Sequence, residues 1–275
     1  MPNGADAFVQ GQVVNSKDSH PRAKAAGLSK SKFIMGLQCH KRLYLHCYEP
    51  QLRSLPDANT LAAFARGDEA GELARRLFAG GVLVDEPFYR HAEAENQTRQ
   101  VMADTSVPAI FEAAFSHENI VVRADILERL PSGRWRLIEV KSSYTLYETH
   151  VMDLAIQAHV VMKAGLDVCE SCVMLRNRGV TWNGDNGTLR QLFRLENLTD
   201  RVRLLGASIP IELAAQTRVL AQSTPPEVAM GEQCTRPYRC DFYDWCHCHE
   251  AHSPQTYGLA GELTSDKRRG PPTAS

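Results

Sequence analysis

The sequence predicts an α/β fold, a mixed sheet core flanked by helices, with a cysteine-rich segment near its C-terminal end. Three observations carry this. The middle of the chain holds three strand-like runs, a helical stretch and a further strand, with helical stretches before and after, an order that belongs to one α/β core with helical additions. Of the 275 residues, 43% are hydrophobic and 23% charged, ordinary proportions that exclude wholesale disorder. Three cysteines recur at even spacing between Cys234 and Cys246. A length of 275 residues suits one large domain or about two.

Residues 1–27 are polar and aperiodic, which predicts a flexible arm. Ser29 is a suitable N-cap for a helix through Phe33, Ile34 and Leu37 towards Cys39, followed by Leu43, Tyr44 and Leu45 before Pro50. A second helix is expected over Thr60–Phe78, stopped by Gly80-Gly81, and a third over His91–Ala103. Ala109–Phe115, Ile120–Leu127 and Trp135–Lys141 are β-branched or alternating runs that read as strands. Pro131-Ser132-Gly133 joins the last two as an antiparallel pair. In the stretch Glu148–Ala164, Val151, Leu154, Ala155, Ala158 and Val161 fall at helical spacing, and Gly165 ends the helix. A strand over Val168–Leu175 follows. Then comes a helical stretch from Thr199, its expected N-cap, to Leu220, which Pro210 must kink or split. The folded unit therefore spans 28–252, including the cysteine segment 234–248. Residues 253–275, rich in Gly, Pro, Ser and Lys-Arg, are expected to be a disordered tail.

Charge and hydropathy narrow the partners. The 31 Lys and Arg against 32 Asp and Glu give no bulk basicity, so any nucleic-acid surface must be local. One local run exists: seven basic residues (Lys17, Arg22, Lys24, Lys30, Lys32, Lys41, Arg42) against the single acid Asp18, either a phosphate guide or a solvated face. No apolar run is long enough for a membrane span, so no membrane partner is expected. Met1–Gln10 lacks a secretory pattern, which points to the cytoplasm, where cysteines serve as metal ligands or buried thiols rather than disulfides.

Chemistry concentrates in two constellations. In Arg123-Ala124-Asp125-Ile126 and Ile138-Glu139-Val140-Lys141, strand periodicity points Glu139 and Lys141 to one face. A hairpin turned at Pro131–Gly133 brings Asp125 beside them at a sheet edge. Two carboxylates and a lysine suit phosphodiester hydrolysis: Asp125 and Glu139 as hard oxygen ligands for Mg2+ or Mn2+, and Lys141 to orient water and offset charge growing on phosphorus oxygens. The plain alternative is a surface hairpin with alternating charges. Gln157, four residues after Asp153 on the following helix, faces either the same cleft or solvent. Glu72 is either a further carboxylate or a helix-surface partner of Arg75 or Arg76.

The second constellation is Cys234, Cys240 and Cys246, with five residues between neighbours. No strand or helix core needs that regularity, so ligation explains it better than packing. Cys39, ending a helix amid basic residues, is the natural fourth ligand, which would tie the two ends of the fold together. Four thiolates suit an iron–sulfur cluster or zinc. A local zinc site using Cys246, Cys248 and the nearby His247, His249 and His252 is the competing arrangement. Cys169 and Cys172, in an apolar run, read as buried structural thiols, and Cys47 has no assignment.

Taken together these blocks resemble the RecB-type nucleases of the PD-(D/E)XK superfamily. The likeness is to the iron–sulfur branch that includes the CRISPR-associated exonucleases and the nuclease module of the helicase–nuclease AddB. It is closer still to a bacterial group of uncharacterised proteins that begin with such a module. The blocks are Leu28–Phe33 with Gly36–Cys39, Gly71–Arg75, Ile110–Phe115, Arg123–Asp125, Ile138–Ser143, Ala155–Gln157 and the triple Cys234, Cys240, Cys246. Three positions depart from the pattern. Many relatives carry histidine near Gly71-Glu72. The aromatic residue usual after the glutamine is Val161 here, with His159 the nearest ring. The late cysteines are evenly spaced, whereas the CRISPR branch often brings the first two closer.

The resemblance implies a restriction-endonuclease-like core in which Asp125 and Glu139 bind the metal, Lys141 assists the water and Gln157 lies in a DNA-contacting motif. It implies a four-iron four-sulfur cluster on Cys39, Cys234, Cys240 and Cys246. The expected function is a metal-dependent DNA nuclease, most readily an exonuclease, acting on DNA with single-stranded character beside a helicase, CRISPR or repair partner. No Gly-x-x-x-x-Gly-Lys-Ser/Thr loop occurs, so the chain is not itself an NTP-driven helicase. Tyr44, Tyr238 and Trp245 are candidate base-stacking rings or core residues. A non-catalytic nucleic-acid-binding or scaffold module that keeps the fold is the alternative.

Overall fold

The computed structural model describes residues 27–251. Residues 1–26 and 252–275 lie outside the described residues. They hold nearly all of the expected arm with Lys17, Asp18, Arg22 and Lys24, and also His252 and the expected tail. Strand β1 (Leu28–Ser29) leads into helix α1 (Lys30–Gln38), whose first turn is capped by Ser29: its hydroxyl accepts the Lys32 amide at 3.3 Å. At Cys39 the backbone becomes extended and α2 (His40–Tyr48) starts afresh, ending just before Pro50.

Helix α3 (Ala58–Arg75) begins earlier than expected because Asp57 caps it, accepting the Thr60 amide at 2.8 Å. It also stops short of Phe78, in a turn that reaches Gly80 at φ +82°. Then follow β2 (Val82–Leu83), α4 (His91–Ala103), β3 (Ala109–His117), β4 (Ile120–Arg129), β5 (Trp135–Lys141), α5 (Glu148–Lys163) and β6 (Val168–Arg176). The last part adds α6 (Asn186–Leu192), β7 (Phe193–Asn197), α7 (Thr199–Gly206), α8 (Ile209–Leu220) and α9 (Tyr243–Ala251). Pro210 splits α7 from α8 and sits in the first turn of α8, where its missing amide costs nothing. Thr199 is not the cap of α7. It is the first helical residue, and its hydroxyl accepts the Ser171 amide instead.

The strands form one mixed seven-stranded sheet in the order β2-β3-β4-β5-β6-β7, with β1 pairing β4. The pairs β3–β4 and β4–β5 are antiparallel, while β5 and β6 are parallel and joined through α5. Side chains alternate to two cores. On one face Val151, Leu154, Ala155, Ala158 and Val161 of α5 pack on Val122, Ala124, Leu137, Val173 and Leu175. On the other, Ala70, Leu73 and Ala74 of α3 and Leu189 and Leu192 of α6 cover Phe111, Ile126, Ile138 and Met174. The short strands β1, β2 and β7 and the helices α6 and α9 carry too few apolar repeats for their sequences to announce them. No helix among the described residues is long and apolar enough to cross a membrane.

Strand β4 has two different neighbours on one side. Its first residues, Ile120 and Val121, pair with β1, and Ile126–Arg129 pair with β5. Between them lies a fork, and α1 starts at its mouth. Helix α1 is pressed against α8: a Cβ at Gly36 would stand 2.3 Å from the side chain of Gln216. Gln216 is fully buried and donates to the Phe33 carbonyl at 2.9 Å and to Glu212 at 3.0 Å, so it has no room to retreat. Gly36→Ala is therefore expected to cost about 1–2 kcal/mol net, overpacking outweighing the gain in helix propensity of about 1 kcal/mol. Urea denaturation of the two proteins checks it.

Candidate active site

The β-ladder registers line up three carboxylates. Phe111↔Ile126 and Ala113↔Ala124 bracket Glu112 opposite Asp125, and one step beyond Ile126↔Ile138 stands Asp125 opposite Glu139. Glu112, Asp125 and Glu139 thus share one row across β3, β4 and β5, and the ladder is interrupted there. Like charges placed opposite one another repel, which opposes regular pairing at that row. Glu112 has a left-handed backbone at φ +54°, a conformation that costs energy for a side-chain-bearing residue and collects at functional sites. Where the β4–β5 ladder stops, the Asp125 carboxylate takes over a backbone duty, accepting the Val140 amide at 2.8 Å. The row lies in the middle of the sheet, not at a sheet edge, because β6 and β7 extend the sheet past β5.

Glu139 is only 2% exposed and is the hub. Lys30 donates to both its oxygens at 3.1 Å, Lys141 to Oε1 at 2.5 Å and the Gln157 amide to Oε2 at 2.5 Å. Lys141 also reaches Asp153, which lies 3.7 Å from Lys30. The expected companions of Glu139 therefore meet, and Gln157 is wholly buried rather than solvent-facing. Its Oε1 is buried without a hydrogen-bond partner.

The charges follow from this geometry. Burial alone would raise the Glu139 carboxyl, but Lys141 and Lys30 hold it well below the usual range. Burial works against the charge on both lysines, yet the surrounding carboxylates keep them well above the ordinary lysine value. Asp125 makes no ion pair among the described residues, and burial together with the Glu139 charge pushes its carboxyl up to about 8. Burial likewise raises Glu112, which lies 3.9 Å from Arg75.

A cleft of about 530 Å3 opens over this row. Asp125, Glu139 and Lys141 line its floor, and Gly67, Asp68, Gly71, Glu72 and Arg75 of α3 form a wall. Glu72 faces the cleft, since Arg75 turns to Glu112 and Arg76 lies over the Trp182 ring. Among the described residues no three His, Cys, Asp or Glu side chains close on a common point as a single-ion cage would. The donor set nonetheless fits a cation that keeps most of its water: a desolvated Asp125 without an ion pair, beside Glu139, at the floor of an open polar cleft.

Lys30, Glu112 and Asp153 are site residues that motif and spacing do not assign. Lys30 belongs by sequence to a basic run, and only the β1–β4 pairing brings it to Glu139. Among the described residues that run is not a free cationic surface. Lys32 donates to the Gly27 carbonyl, Lys41 lies over Trp245 and Arg42 is bonded to Gln38 and Asp241. Nor is Tyr44 available to bases, being 1% exposed. Trp245 stacks on His249, while Tyr238 is exposed.

Cys39, Cys234, Cys240 and Cys246 line one small cavity together with Lys41 and Arg42. The Phe242 amide donates to Cys240 Sγ at 3.4 Å, and burial raises the Cys240 thiol to about 11. Four cysteines lining one cavity beside two cations have the ligand chemistry of a thiolate-bound centre, although their sulfurs do not close on a common point. Of the competing local site, His247 stacks on Tyr243 and His249 on Trp245, Cys248 is exposed, and His252 lies outside the described residues. Cys169 sits at a register shift between β5 and β6 and is only partly buried, unlike the buried thiol expected there. Cys172 is buried, and the Cys169 thiol donates to the Trp135 carbonyl at 3.5 Å.

The fold and site thus define an α/β protein with an acid–lysine cleft at the centre of a mixed sheet. Neither models of known protein families nor curated proteins give a match to this chain.

Proposed function

We propose that this chain is a metal-dependent DNA nuclease of restriction-endonuclease-like fold, hydrolysing phosphodiester bonds and carrying a structural iron–sulfur cluster. The observation that carries the reading is the convergence of Asp125, Glu139 and Lys141 on one cleft, with the buried Gln157 bonded to Glu139 behind it, in the arrangement expected of a PD-(D/E)XK site. Asp125 and Glu139 would hold Mg2+ or Mn2+, which when bound supplies Lewis-acid polarisation of the phosphate and a more acidic water. Lys141, anchored by Glu139 and Asp153, presents its ammonium to the cleft and offsets charge developing on the phosphate. Gln157 fixes the Glu139 carboxylate from behind, and Lys30 neutralises it from the β1 side. Cys39, Cys234, Cys240 and Cys246 would hold a four-iron four-sulfur cluster, with zinc the competing occupant.

The test uses end-labelled single- and double-stranded DNA with anaerobically prepared protein and Mg2+ or Mn2+. Cleavage is expected from the unaltered protein and none from Asp125→Ala or Lys141→Ala, while both variants still bind DNA. Unchanged cleavage by either variant overturns the assignment. The two lysines clamping Glu139 favour a second reading, a nucleic-acid-binding or scaffold module without catalysis, because they already neutralise the carboxylate that a metal would need. DNA binding with no metal-dependent cleavage would select it.

A further inference from the structure

A second cavity, of about 430 Å3, lies apart from the carboxylate row, bounded by the end of β3, by α5, by α8 and by β1. Four basic side chains from three elements line it: His117 at the end of β3, His159 and Lys163 on α5, and Arg218 on α8. The two histidine rings are 6.2 Å apart. The one acid on its lining, Glu118, lies 3.8 Å from His117 with its side chain 76% exposed. Among the described residues neither Lys163 nor Arg218 makes an ion pair. The floor is apolar, with Leu28, Ile120 and Leu213.

Helix polarity accounts for one cation at the end of α5 and one at the end of α8. It does not account for both cations reaching one cavity, which α8 lines along its length, nor for two histidines facing it. His159 and Lys163 stand four apart on one helix face, an arrangement that costs stability once the histidine is protonated. A multivalent anion offsets this clustering of basic groups. A phosphate group has enough oxygens to accept from an arginine fork, an ammonium and two imidazoles at once, where a single carboxylate does not.

We propose that this cavity is a phosphate-binding site, taking a phosphate ester whose organic part rests on the apolar floor. It does not depend on the nuclease reading of the cleft. Burial, Lys163 and His117 lower the His159 pKa, and Glu118 opposes them, so the ring resists protonation until an incoming anion offsets those charges. The volume suits a nucleotide-sized group, whether the end of a nucleic-acid strand or a free mononucleotide.

The experiment follows the His117 and His159 ring signals by NMR while the full chain is titrated with inorganic phosphate, a nucleoside monophosphate, and an oligonucleotide with either a 5′-phosphate or a 5′-hydroxyl end. Saturable shifts of both rings with phosphate are expected. Affinity should fall about tenfold or more in the double variant Lys163→Gln/Arg218→Gln, and stay unchanged in Asp125→Asn. Tighter binding of the phosphorylated than of the hydroxyl oligonucleotide identifies a strand end; tighter binding of the monophosphate identifies a free nucleotide. Absence of saturable shifts, or equal affinity in the double variant, overturns the proposal. Should the double variant misfold, His159→Gln alone must show the same loss.

Discussion

Glu139→Ala and Asp125→Asn are expected to abolish cleavage alike, by about a thousandfold or more, yet to change metal-free stability in opposite directions. Glu139 is buried and accepts from Lys30, Lys141 and Gln157, so its removal strands two ammonium groups around Asp153 and takes from the buried Gln157 amide one of its two acceptors. Breaking a buried pair from one side costs about 3–5 kcal/mol. Asp125 is the reverse case. Its carboxyl is raised to about 8 in the folded protein, above its unfolded value. The fold therefore favours the protonated form, and that contribution, complete below about pH 4, is lost as pH rises through 8. Asparagine removes the liability. At pH 9 without metal, Asp125→Asn is expected to be more stable than the unaltered protein by more than about 1.4 kcal/mol, a tenfold change in the folding equilibrium. At pH 4 the difference should vanish. Urea midpoints at both pH values read the result, and Mg2+ should stabilise the unaltered protein but not the variant.

The second large effect concerns the cysteines. Cys240→Ser and Cys39→Ser are each expected to yield protein lacking iron and sulfide, and to destabilise the fold by about 3 kcal/mol or more, because ligand-binding free energy in such sites is folding free energy. Limited proteolysis should then cut first between residues 221 and 246, the segment that the cluster would fasten to α1 and α2. Cys172→Ser, by contrast, should keep the metal content and cost only packing, since that thiol is buried on β6 away from the other four. Iron and zinc analysis with thermal melts distinguishes the two classes.

The contrast between Lys30 and Glu112 marks how far local patterning reaches. Strand alternation and the Pro131–Gly133 turn locate β4, β5 and the pairing of Asp125 with Glu139, because a hairpin register depends on the turn between its strands. The same arithmetic, run back through the turn at Glu118-Asn119, places Glu112 opposite Asp125, so that residue is within reach of sequence reasoning. Lys30 is not. Its position follows from a two-residue strand pairing with β4 ninety residues later, and so short a strand has no periodicity of its own. The C-terminal helix α9 is similarly hidden among cysteines and histidines whose spacing resembles ligation more than helix packing. The fate of the basic run is hidden too, because whether a lysine faces solvent or a carboxylate depends on tertiary neighbours.

Gln38 donates to the Gln233 and Tyr238 carbonyls, Arg42 to Asp241, and the Tyr48 hydroxyl to the Leu220 carbonyl. These bonds cross 172 to 200 positions of chain. On the ribosome, α1 and α2 emerge well before the segments they dock against. Lys30 rides on α1, so its hold on Glu139 gains its last support only when these segments have been made. A half-made chain accordingly relies on Lys141 as the firm counter-charge of its acids, and vectorial synthesis itself delays the moment at which the cleft takes its final form.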